Sequence, residues 1–249
     1  MSDSSGNILV QTAAWFTDPE HWSGSEGIPA RLGEHLLYTG LTVLIAAAIA
    51  VPVGLYVGHT GRGRVLAVAV AGALRAIPTL GLLTLFVLLA GIGLMPPIWA
   101  LVILTVPPLL AGTYSGIAAV DRNVVDAARS MGMNELQVLF KVEAPNALPV
   151  FFGGFRTAVL QVIATVTVVA FTNLGGFGRY LLDGLDLQDF PRMLGGAVLV
   201  AALALLMDGI LAFIQKMLVS PGLRSGRRPA DAAIVESGPL PAGAQGGTE

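Results

Sequence analysis

The chain contains no cysteine. Disulfides, thiol nucleophiles and cysteine metal sites are therefore excluded. Charge is scarce too: 12% of the 249 residues are Asp, Glu, Lys or Arg, while 54% are hydrophobic. Soluble domains carry about 25% charged residues. Half that leaves too little polar surface to solvate a globule of this size. A mean hydropathy of +0.75 points to a bilayer as the solvent. His21, His35 and His59 are scattered, with no H-E-x-x-H spacing, so no metal site is expected. There is no G-x-x-x-x-G-K-S/T loop for phosphate and no nucleophile–base motif. Catalysis and ATP binding are not expected of this chain. A nucleic-acid partner is not expected either; the net charge of -2 by itself says nothing about partners, since in a membrane protein the placement of Lys and Arg matters more than their sum.

What remains is apolar and helical. A spanning helix needs ~20 mostly apolar residues. Five stretches qualify, at about 36–58, 65–91, 97–119, 150–172 and 193–219. None alternates as a strand would, so the expected class is an all-α integral membrane protein. Pro78 is expected to kink the second span, and Pro107 and Pro108 the third. Gly54-x-x-x-Gly58 and Gly112-x-x-x-Gly116 predict close helix packing. Residues 1–35 have no early basic run or long apolar core, so no cleaved signal is expected. Trp15, Phe16 and Trp22 among acids suit either a segment lying at the headgroups or a flexible tail. Residues 220–249 are Pro-, Gly- and Ala-rich and read as disordered.

Basic residues set the orientation. Arg62, Arg64, Arg122, Arg129, Lys141, Lys216, Arg224, Arg227 and Arg228 fall on one side; only Arg31, Arg179 and Arg192 fall on the other. The positive-inside rule makes the first group cytoplasmic. Five spans then leave the N-terminus outside and the C-terminus in the cytoplasm.

The longest charged run between spans is 121–145, DRNVVDAARSMGMNELQVLFKVEAP. Asp121 is a good N-cap. Val124, Ala127, Ala128 and Met131 share a face, Gly132 suits a left-handed turn, and Asn134 can cap a second short helix. Pro145 is expected to stop that helix. The charges read mostly as the solvated back of this hairpin.

Asp126-Ala127-Ala128, then Gly132, then Val142-Glu143-Ala144-Pro145 resembles the E-A-A…G…I-x-L-P motif of ABC-importer permeases. Asp replaces Glu, Val replaces Ile and Ala replaces Leu, with the spacing kept. The resemblance implies a type I permease fold of five spans. It also implies that this hairpin is the coupling helix, with Asp126, Ala127, Ala128, Met131, Gly132, Val142 and Pro145 meeting a cytoplasmic ATPase. Arg75-Ala76-Ile77-Pro78-Thr79-Leu80 and the 175–185 run GGFGRYLLDGL look like signatures of the osmoprotectant subfamily, whose substrates are glycine betaine, choline and carnitine. The implied partners are two ATPase copies carrying ATP and Mg²⁺, a second permease, identical or sister, and an external binding protein. An amino-acid permease or a stand-alone carrier is the alternative, although no inverted repeat is visible.

Two charges fall at membrane depth. Arg75 and Asp208 each lie ~15 Å from the cytoplasmic ends of their spans. Their matching depth suggests an ion pair or two groups lining a wet pathway. Alternatively, Arg75 caps carbonyls freed at Pro78. Arg156 is expected to snorkel. Gln161, Thr165 and Thr172 line either a passage or an interhelical hydrogen-bonded seam.

Overall fold

Proline and glycine decide where this chain breaks and where its helices touch. A computed structural model describes residues 5–219, with side chains from Ile8 onward; the tail at 220–249 lies outside the described residues. Among these the secondary structure is helical throughout, in the order α1 (Ser5–Thr17), a 3₁₀ turn (Pro19–Trp22), α2 (Ile28–Thr60), α3 (Arg64–Arg75), α4 (Thr79–Ala90), α5 (Met95–Ala118), α6 (Arg122–Ser130), α7 (Glu135–Val138), α8 (Ala144–Val169), α9 (Gly178–Asp186) and α10 (Phe190–Leu218). α2, α5, α10 and the continuous Glu135–Thr172 helix are long and apolar enough to cross a membrane; α3 and α4 together make a fifth candidate.

That fifth candidate is broken rather than kinked. Its halves meet at 89°. Pro78 cannot donate to the ladder, and its ring pushes Ile77 away from helical geometry. Pro78 itself is extended, with ψ 126°. α5 behaves differently and continues as one helix through Pro107 and Pro108. Pro108 frees the carbonyl of Leu104, four residues back. Gln161 Nε2 from α8 donates to that carbonyl at 3.1 Å, so a neighbouring helix replaces the lost bond.

Glycine brings α5 into contact with both neighbours. A Cβ on Gly54 would lie 2.6 Å from Thr113 Cβ, and one on Gly58 2.6 Å from Ile117 Cβ. On the other flank, a Cβ on Gly112 would lie 2.7 Å from Gly154 Cα. The small-xxx-small pairs therefore do pack backbone close to backbone. Their register also gives direction. Residue 54 faces 113 and 58 faces 117, so α2 and α5 run parallel, and α3–α4 return the chain to the far end of the bundle. α8 runs antiparallel to α5, since 112 meets 154 and 116 meets 147.

The helix of the first candidate span, α2, differs from expectation. It begins at Ile28, not near 36, because Arg31 is paired with Glu34 and Glu26 and lies only 9% exposed. Trp15 is packed within the protein. It is 7% exposed, with its ring on Gly195 of α10 and 5.3 Å from Tyr180. The Tyr180 hydroxyl donates to the Glu26 carbonyl, and burial pushes its pKa up to about 12.

Candidate functional site

The 121–145 segment folds as helix, turn, helix. The Asp121 side chain accepts from Asn123 N at 2.9 Å, satisfying an orphan donor of α6. Gly132 takes φ +86°. Asn134 and Gln137 form a reciprocal capping box. Arg129 donates from both Nε and Nη2 to the Glu135 carboxylate, at 3.1 and 3.0 Å, tying the two arms together.

Pro145 does not stop the second arm. Leu139–Glu143 widen into a π turn, and Ala144 N reaches back five residues to the Leu139 carbonyl. The wider turn absorbs the missing N–H of Pro145, and Asn146 Nδ2 covers the Val142 carbonyl at 2.7 Å. The helix therefore runs unbroken from Glu135 into α8.

The expected contact face is corrected at one position. Ala128 is 2% exposed and packs with Val125 and Val138 inside the hairpin, with Val142 half-buried beside them. Asp126, Ala127, Gly132 and Pro145 are exposed, as are Val124 and Met131, the last at 76%. A helix face wide enough to hold both alanines has one edge turned inward, because the second arm covers it.

The charges also need correction, since they are not all a solvated back. Glu143 is 2% exposed. Its Oε2 lies 2.5 Å from His59 Nδ1, at the last turn of α2. His59 Nε2 lies 3.1 Å from Glu135 Oε2. Neither His59 nor Glu143 stood out in the sequence. The available signal was Glu143 itself, a carboxylate within an otherwise apolar V-E-A-P run.

Asp208 does not pair with Arg75. Both its oxygens are held by Arg156, through Nε and Nη2. Counting Arg156 from a span starting at 150 placed it near the surface. The helix begins earlier, and Arg156 lies twelve residues past Ala144, deep enough to meet Asp208. Arg75 is exposed at the end of α3, with no ion pair among the described residues. The polar groups along α8 and the turn that follows it have hydrogen-bond partners. Gln161 serves the Leu104 carbonyl, Thr165 Oγ1 donates to the Gln161 carbonyl and Thr172 Oγ1 to the Val169 carbonyl. Of these three, Gln161 bonds across to α5, while the two threonines bond back within their own helical segment.

The family model for the binding-protein-dependent transport system inner membrane component matches residues 50–224. The chain belongs to that family. It is a multi-pass inner-membrane permease component, and its role is transport rather than catalysis. It is similar to the glycine betaine/carnitine/choline transport system permease protein of Bacillus subtilis (strain 168), at 32% identity over 78% of this chain and 89% of the relative. It is also similar to the osmoprotectant import permease protein of Salmonella typhimurium, at 34% identity over 77% of this chain and 91% of that protein. A solved inward-facing methionine ABC transporter shares the fold, with a TM-score of 0.67 at 20% identity, covering 88% of this chain and all of that one.

Proposed function

We propose that this permease is the translocating subunit of an ATP-driven importer for a compatible solute such as glycine betaine, choline or carnitine. The observation that carries the coupling role is the exposed apolar edge of the hairpin, Val124, Ala127 and Met131 around the Gly132 turn. Apolar side chains exposed on a polar hairpin outside the bilayer suit a protein partner better than water. That partner is an ATPase, present in two copies and carrying ATP and Mg²⁺. A second permease, identical or sister, completes the pathway, and an external binding protein delivers the solute. Substrate class is supported by the names of the relatives, and the five-crossing topology by the parallel register of α2 and α5. The hairpin end is cytoplasmic and the N-terminus external, as the basic residues require. Arg75, exposed at the break between α3 and α4, is a candidate pathway residue.

The test is recovery of the ATPase with the tagged permease from native membranes, together with ATP-driven uptake of labelled glycine betaine. Ala127→Arg is the clean probe, because its side chain points outward. It should cut ATPase recovery at least about tenfold, equivalent to about 1.4 kcal/mol of binding. Ala128→Arg would instead unfold the hairpin. If the wild-type chain recovers no ATPase, the docking role is wrong.

A further inference from the structure

We propose that His59 is a positioning residue: an imidazolium clamp that fastens the end of α2 to the coupling hairpin and carries the hairpin's movement into the membrane helices. The inference rests on the docking role proposed above.

The geometry is specific. His59 stands in the last turn of α2, one residue before its end, and Gly61 then turns the chain away with φ +69°. Its ring has 12% of its side-chain surface exposed. Each nitrogen faces a carboxylate, Nδ1 facing Glu143 at 2.5 Å and Nε2 facing Glu135 at 3.1 Å. An ionised carboxylate only accepts hydrogen bonds, and a neutral imidazole has one N–H to give. Both contacts are attractive only when both nitrogens carry hydrogen. Glu143 is 2% exposed, and a buried carboxylate needs a cation beside it.

The π turn makes the clamp two-handed. In a regular α-helix, positions eight apart are about 80° out of register. Widening at Leu139–Glu143 takes back roughly that angle, which brings Glu135 and Glu143 to the same ring. Among the described residues Glu143 has His59 as its cation, whereas Glu135 also accepts from Arg129 at 3.0 Å. Tyr56 of α2 shares the adjoining pocket, which is lined on the hairpin side by Leu136, Leu139 and Phe140. Arg129 of α6 is committed to Glu135 and Asp126. α5 meets the neighbouring Gly58 with Ile117 and the Tyr114 carbonyl. The clamp is the polar joint between α2 and the hairpin, beside an apolar cleft of ≈ 520 Å³.

The experiment uses the assembled transporter in proteoliposomes and reads solute imported per ATP hydrolysed. His59→Ala should lower that ratio roughly threefold or more, with the ATPase still recovered in full. His59→Arg keeps a permanent two-sided cation and should restore the ratio. Equal coupling in His59→Ala and wild type would overturn the clamp, as would a His59→Arg variant no better coupled than His59→Ala. Loss of ATPase recovery from the wild-type permease would sink the docking role instead, so the two failures are distinguishable.

Discussion

α5 and α10 are both apolar and both long enough to span, and α10 is the more apolar of the two. Yet 72% of the most apolar stretch of α5 is buried, against 11% for α10. The difference lies in residue size. α5 carries glycine and proline where its neighbours cross it, and α2 and α8 close onto it at Gly54, Gly58 and Gly154. Along α10, Leu205, Leu206, Phe213 and Met217 point outward, 62–74% exposed. Lipid tails are as apolar as leucine, so hydrophobicity does not drive helices together in a bilayer. Close backbone approach and satisfied polar groups do. α10 is joined to α8 through the Arg156–Asp208 pair and through Gln215 Nε2, which reaches the Pro149 carbonyl at 3.3 Å.

The most damaging way to break this contrast is Gly112→Val. It drives a branched side chain into the Gly154 backbone and should cost about 3 kcal/mol or more, at the upper end of overpacking. Yield and thermal stability in detergent would show it. Unchanged stability would mean that the α5–α8 crossing is looser than 2.7 Å implies.

Next in size is the pair on α8 and α10. Arg156→Leu or Asp208→Leu alone leaves one charge in the membrane, and each should lower stability. The double variant should recover most of the loss, because two apolar residues of similar volume pack where two charges stood. A double-mutant cycle measures the coupling. Strictly additive losses would mean that the pair contributes nothing.

The smallest expected effect is on the bare face of α10. Leu206→Ala should change stability by no more than ~0.5 kcal/mol. If it lowers the fraction of paired permeases on a sizing column, that face meets a second permease and the contrast with α5 ends on assembly. A large loss of monomer stability would show that the face packs within the chain.

How much of this was visible beforehand varies from residue to residue. Asp121, Gly132 and Asn134 could be assigned as caps and turn from their type and spacing, because those roles are local. The glycine pairs could be assigned as packing sites, though not which helix each would meet. Ala128 could not be separated from Ala127, because neighbouring positions share a face and only the second arm buries one of them. Arg156 was misplaced because hydropathy locates where the apolar stretch starts, not where the helix starts. Pro145 was misread because a π turn has no sequence signature as plain as a proline stop.

Composition and periodicity by themselves determined that this chain is helical and lives in a bilayer, and where its charged hairpin lies; the resemblance of the 126–145 motif pointed to the family. Those properties depend on solvent and on neighbours a few residues apart. The tertiary structure alone decided the partners: Asp208 with Arg156, Gln161 with the Leu104 carbonyl, Glu143 with His59. Each joins residues 50 or more positions apart, and a pairing at that range depends on how whole helices pack rather than on anything the local pattern encodes.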